Sequence, residues 1–243
     1  MHAKEFVVCH ERQPFPPYFT MTMNNAVEDV VGVLPDILTQ ALRAAGVTPK
    51  YVGFPWKRCL ELLKQNKIDG TFPSIYLKKR DVLGRYPMDQ GKEDRSRSLA
   101  NVEYSVFTAR DNPVQWDGSF AGNKDPIIGA PLGYVVVQSL MKKHNIKANT
   151  QFLALRGLQL VALGRLNGYV VEKLGGERLL RLEGVEDKVV ALQPPFEKHY
   201  WHLMISHKFY NDFPEQAEDI WDQVKLQRIQ NFNKLVKTHS NSN

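Results

Sequence analysis

Between residues 5 and 72 the apolar side chains switch back and forth between a strand period and a helical one, and few folds accommodate that order. Glu5-Phe6-Val7-Val8-Cys9 reads as a short apolar strand. Leu34, Ile37, Leu38, Ala41, Leu42 and Ala45 then fall at helical spacing with one apolar face. Pro35 suits the first turn of that helix and Gly46 the residue just past its end. Lys50 to Phe54 reads as a second strand. Pro55 opens a second helix with Trp56, Cys59, Leu60 and Leu63 on one side, and Ile68 to Phe72 returns as a strand. Strand, helix, strand, helix, strand is the grammar of a parallel sheet wrapped by helices, so the fold class is α/β.

That grammar culminates in Asn66-Lys67-Ile68-Asp69-Gly70-Thr71-Phe72-Pro73-Ser74, which ends a helix, runs a buried strand and opens a polar loop reaching Arg80. About a hundred residues later Gly164-Arg165-Leu166-Asn167-Gly168-Tyr169-Val170-Val171-Glu172 repeats the order but ends in an acid. A second α/β unit surrounds it. Pro126 to Ala130 predicts a strand, a helix runs to about His144, Gln151-Phe152-Leu153 predicts a short strand, and a helix runs to about Arg165. Gly168 to Val171 is again a strand, and Lys188 to Leu192 closes the unit. His199 to Ile205 predicts a further strand, and a last helix starts near Pro214 with Ala217, Ile220, Trp221 and Val224 on one face. This end segment is too short for a domain and should return to the first unit. Two α/β lobes are expected, 1–105 with 202–243 and 106–201, joined by two crossing strands that make a hinge.

Three prolines, Pro14, Pro16 and Pro17, exclude regular structure from His10 to Phe19. Phe15, Tyr18 and Phe19 there either face a ligand or cover the core edge. The hydrophilic stretch from Arg85 to Asn101 is expected to be an exposed loop, and Asp111 to Asp125 carries turn signals.

No apolar run approaches the roughly 18 residues of a membrane span. The 32 basic and 26 acidic residues leave +6, but the cations are scattered and no dense basic run alternates with aromatics, so a nucleic-acid partner is not expected. The two cysteines, Cys9 and Cys59, match no metal-binding spacing; a disulfide and a pair of buried thiols both remain open. Met1-His2-Ala3 begins no basic-then-apolar leader, as a mature chain with its leader removed would read.

In order and spacing, four stretches together resemble the family 3 extracellular solute-binding proteins, the amino-acid-binding branch of the type II periplasmic binding fold. They are Gly32-Val33-Leu34-Pro35-Asp36-Ile37-Leu38, Asn66 to Gly70, Ser74 to Arg80 and Gly164 to Glu172, and the resemblance spans Phe6 to about Phe232. It implies that Arg80 forks the ligand's α-carboxylate, a geometry Lys cannot reproduce, with Ser74 as the loop serine beside it. Five residues separate the two here, where the family usually has four. It implies that Glu172, in the place of an Asp, accepts the ligand's α-ammonium. Gly133-Tyr134 stands where the family has Gly-Thr, which leaves a helix N-terminus for an anion but no hydroxyl. Tyr18, Trp56 and Phe72 are the expected aromatic walls. Glu11 occupies the place where binders of basic amino acids carry an acid.

The function so implied is capture of a small zwitterionic or carboxylate solute, an amino acid or derivative, in the periplasm. Hinged lobe closure would deliver it to an ABC permease. A monomer is expected, with no cofactor and no metal. The alternatives are a sensory module read by a receptor and a dehydratase-like enzyme on the same scaffold. Against the enzyme, no Ser-His-Asp, Cys-His or metal-ligand spacing is present.

Overall fold

The computed structural model describes residues 4–24 and 27–241. Residues 1–3, on which the leader expectation rests, lie outside them. The chain divides into two compact units, Met1–Asn101 with Tyr200–Asn243, and Val102–His199.

In the first unit β1 (Lys4–Glu11) leads through the proline-rich loop to a hairpin, β2 (Thr20–Asn24) and β3 (Val27–Val31). Then come α1 (Val33–Ala44), β4 (Val47–Phe54), α2 (Trp56–Lys64) and β5 (Gly70–Ile75). β1 pairs in parallel with β4 on one side and β5 on the other, as the period-switching pattern requires. Val33 and Leu34 donate their N–H groups to the carbonyls of Pro17 and Tyr18, so the proline-rich loop satisfies the start of α1. Cys9 at the end of β1 and Cys59 in α2 form a disulfide with Cα atoms 5.6 Å apart. It lies in an apolar cluster with Trp56, Leu62, Leu63, Ile68, Tyr86 and Met204.

The stretch expected as an exposed loop is more ordered than its composition suggests. It contains the small hairpin β6 (Met88–Asp89) and β7 (Lys92–Glu93) and a 3-10 turn at Arg95–Arg97. Arg97 forms ion pairs with Asp94, Glu218 and Asp222, so its charges are spent on packing against the last helix. β8 (Ala100–Ala109) carries the chain into the second unit.

There the elements are β9 (Ile128–Gly129), α3 (Val135–His144), α4 (Ala154–Ala162), β10 (Gly168–Glu172), α5 (Lys173–Leu182) and β11 (Val189–Ala191). β10 pairs antiparallel with β8 and in parallel with β9, and β11 pairs with β8. The expected strand at Gln151–Leu153 does not form. Gly129 makes its bridge to Asn149 instead, and the Phe152 carbonyl accepts from the Tyr169 hydroxyl at 2.7 Å. α5 had no counterpart in the sequence reading because Gly175 and Gly176 interrupt its first turns. A Cβ at Gly176 would lie 2.5 Å from the Phe107 ring, so the gap in the pattern is where helix and strand touch.

β12 (Glu197–Ile205) returns the chain to the first unit, where it pairs antiparallel with β5. α6 (His207–Asp212) and the long α7 (Pro214–Asn241) follow. Ala217, Ile220, Trp221 and Val224, the expected apolar face, are all buried. Among the described residues no helix is long and apolar enough to cross a membrane.

Candidate functional site

In the first unit the structure gathers Arg80, Trp56 and Ser74, with a residue the sequence reading missed, Tyr86. Arg80 ends the single 3-10 turn Lys78–Arg80 and is only 8% exposed. Its Nη1 donates to the Ile75 carbonyl at 2.8 Å, and its guanidinium lies 5.9 Å from the centre of the Trp56 ring. Among the described residues no carboxylate oxygen comes within 4.0 Å of it. A nearly buried guanidinium is ordinarily paired with an acid, because desolvating an unpaired charge is costly.

Ser74 departs from its expected place. It lies within β5 rather than in a loop, has no accessible surface, and its hydroxyl is 2.6 Å from that of Tyr86. The Ser74 hydroxyl is therefore part of the wall behind Arg80. Tyr86 was hidden because its surroundings, Arg85 to Asn101, are polar; the only signal was an aromatic residue followed by Pro87.

Phe72 also departs from expectation. It is fully buried among the rings of His10, Phe19 and Tyr51, at centroid distances of 6.1 to 6.4 Å, and serves as core rather than as a ligand wall. Tyr18 is 2% exposed and meets Trp201 edge-on at 4.8 Å, so it too covers the core. Glu11 sits at the end of β1, and its Oε2 accepts the backbone N–H of Trp56 at 3.1 Å, capping α2, whose own N-cap is Pro55. Burial raises its carboxyl above the ordinary range, against the opposing hydrogen bonds from the backbone of Trp56, Gln13 and Arg12.

In the second unit Gly133 and Tyr134 precede α3. Gly133 adopts φ +86°, which favours glycine, and Tyr134 provides no side-chain cap to the helix that follows. Glu172 is 3% exposed, so it is not a plain surface acid. Its two oxygens accept the N–H groups of Leu174 at 3.2 Å and Gly175 at 2.8 Å, making it the N-cap of α5. A hollow of about 670 Å³ within this unit is lined by Phe120, Asn123, Asp125, Lys142, His144 and Lys147 among others, none of them expected from sequence. Among the described residues no group of three or more His, Cys, Asp or Glu side chains is gathered as a metal site requires.

No protein-family model matches the chain, and no curated protein matches it by sequence. Solved structures do match. One is the substrate-binding protein of an amino acid ABC transporter, 16% identical, covering 96% of this chain and 98% of its own, with a TM-score of 0.74. A histidine kinase sensor domain with similarity to periplasmic binding proteins is 13% identical over 98% and 96%, with a TM-score of 0.76. An ancestral amino-acid-binding protein, a precursor of cyclohexadienyl dehydratase, is 15% identical over 96% and 94%, with a TM-score of 0.73. At these identities the likeness shows the fold: two α/β units of the type II periplasmic binding kind, as the family resemblance implied.

Proposed function

We propose that the protein is a solute-binding protein that captures a small carboxylate or zwitterion, an amino acid or derivative, for delivery to an ABC permease. The observation that carries this reading is Arg80, a nearly buried guanidinium with no carboxylate partner among the described residues. A carboxylate ligand supplies the missing counter-charge in bidentate geometry, and the Trp56 ring beneath the guanidinium offers it an apolar floor. We assign to Glu172 of the second unit the role of acceptor for an amine of a solute. Its capping bonds hold the carboxylate in one orientation at the start of α5.

The Cys9–Cys59 disulfide supports an oxidising location, periplasmic or extracellular, because such bonds are rare where thiols are kept reduced. The protein acts as a monomer and a binder, not an enzyme. A sensory module is the second reading, supported by the likeness to a kinase sensor domain. Gene neighbourhood separates the two, since transport needs a permease and an ATPase.

The test is a thermal-shift screen of refolded, ligand-stripped protein against amino acids, small carboxylates, amines and short peptides. A solute at a hundred times its dissociation constant adds about 2.7 kcal/mol of stability. A clear hit among carboxylates is expected. Silence across carboxylates together with a hit among simple amines would sink the reading.

A further inference from the structure

Behind Arg80 lies a set of buried hydroxyls that the family resemblance does not account for. Tyr86 is 3% exposed, and its ring is held on two sides, edge-on to Tyr76 at 5.2 Å and to His202 at 6.0 Å. His202, fully buried on β12, is in turn held by Glu93, 3.0 Å from its Nε2. The ring therefore has little freedom, and its hydroxyl is delivered to one place. There it donates to the Ile75 carbonyl at 3.1 Å, the same oxygen that accepts Nη1 of Arg80. With the phenol proton so committed, the Ser74 hydroxyl is the donor in the 2.6 Å contact with the Tyr86 oxygen. The Ile75 carbonyl, Tyr86 and Ser74 form one connected polar unit with the guanidinium, and the Tyr86 ring packs in the apolar cluster that holds the disulfide.

We propose that Tyr86 is a positioning residue that fixes the guanidinium of Arg80 for carboxylate capture, and that Ser74 acts through Tyr86 rather than by touching the ligand. The proposal rests on the reading of Arg80 as the carboxylate anchor. An arginine loses much rotamer freedom when a ligand fixes it. A guanidinium already fixed by a shared carbonyl and a rigid phenol has surrendered that freedom on folding, so less is lost on binding. The buried polar unit is also why Ser74, in the position of a ligand-contacting serine, has no surface to offer.

The experiment is nitrogen-15 NMR of the arginine side chains in the wild type, Tyr86→Phe and Ser74→Ala, with Arg80→Lys identifying the Arg80 signals. In the wild type the Nη–H signals of Arg80 should be resolved by slow rotation of the guanidinium. In Tyr86→Phe they should merge while the unfolding midpoint stays close to wild type, and Ser74→Ala should move them in the same direction. Unchanged Arg80 signals in both folded variants overturn the proposal. Acetate, as a minimal carboxylate probe, should shift Arg80 in the wild type and require roughly tenfold more to do so in Tyr86→Phe, the scale seen when outer-shell support of a binding group is removed. If acetate leaves Arg80 unmoved at any concentration, the carboxylate reading fails, and the rotation comparison still decides the role of Tyr86.

Discussion

The two units carry opposite charges at the ends of corresponding strands and treat them in opposite ways. In the first, Arg80 follows β5 and is steadied by a carbonyl and an aromatic ring, with no carboxylate partner among the described residues. In the second, Glu172 ends β10 and spends both oxygens on the helix that begins there. A side chain fixed by neutral partners costs stability and is kept for what it binds; one fixed by a helix terminus stabilises the fold whether or not anything binds. On the reading proposed above, the difference makes Arg80 the more selective anchor and Glu172 the more structural one.

The first unit is also the only one with a cross-link, and removing it tests how far the rigidity of that unit rests on the bond. Cys9 and Cys59 are 50 residues apart, and a loop of that size constrains the unfolded chain by about 4 kcal/mol. The double variant Cys9→Ala/Cys59→Ala should lose about that much in urea unfolding. A loss below about 1 kcal/mol would show that the packing around Trp56 and Tyr86 holds the unit unaided. Arg80→Ala comes next in size. Truncating a charge that a carboxylate must meet in a buried site costs on the order of 3 kcal/mol of binding, more than a hundredfold in affinity. Calorimetric titration with the screened carboxylate should show that loss with the fold intact. Unchanged affinity would move the anion site to another cation, first the exposed Arg58 in the first turn of α2, and dissolve the contrast between the units.

How much of this could be read from sequence follows the same contrast. The parallel order of β4, β1 and β5 was legible because apolar periodicity and punctuation by Pro35, Gly46 and Pro55 agree with each other. Arg80 and Glu172 were legible as charges after predicted strands. Their surroundings were not. Ser74 reads as a loop serine only through the family resemblance, yet cross-strand pairing with His202 keeps it in β5. Phe72 reads as a cleft residue because it sits near a strand end, yet three rings enclose it. Tyr86 packs against β12 and Glu93 bonds to His202 of the same strand, which arrives more than a hundred residues later, and no local pattern encodes that. Gly175 and Gly176 erased the helical signal of α5, the element that claims Glu172.

The second unit has an acid of its own that tests whether it depends on charge where the first depends on a cross-link. Glu197 opens β12; burial pushes its carboxyl up, but hydrogen bonds from His199, Lys143 and Ser139 outweigh this and hold it at about 2. The pairs to Lys143 and His199 span 2.6 and 2.8 Å. A carboxyl held below its ordinary value of 4.5 stabilises the folded state above that value, and the stabilisation is lost as pH falls from there through about 2. After allowance for solvent screening the loss is on the order of 1–2 kcal/mol. The protection factors of the α3 amides, that is, exchange corrected for its intrinsic pH dependence, should fall between pH 5 and about 3 in the wild type and stay constant in Glu197→Gln; parallel behaviour of the two would remove the acid-sensitive link.

The smallest effect separates the two duties of Glu172. Glu172→Gln keeps one oxygen for the cap and removes the charge, so α5 should weaken by about 1 kcal/mol or less, the scale of an altered N-cap. That cost is the same with or without a solute. Binding should respond selectively: solutes carrying an amine lose affinity, and amine-free acids of the same size, which meet only Arg80, do not. If both classes weaken equally, Glu172 is a cap and nothing more. The amine acceptor must then be sought elsewhere, with the glycine turn at Gly133 and the start of α3, which no side chain caps, as the first place to look. If only the amines weaken, a carboxylate can stabilise a helix and discriminate a ligand with the same two oxygens, and the contrast with Arg80 becomes one of degree.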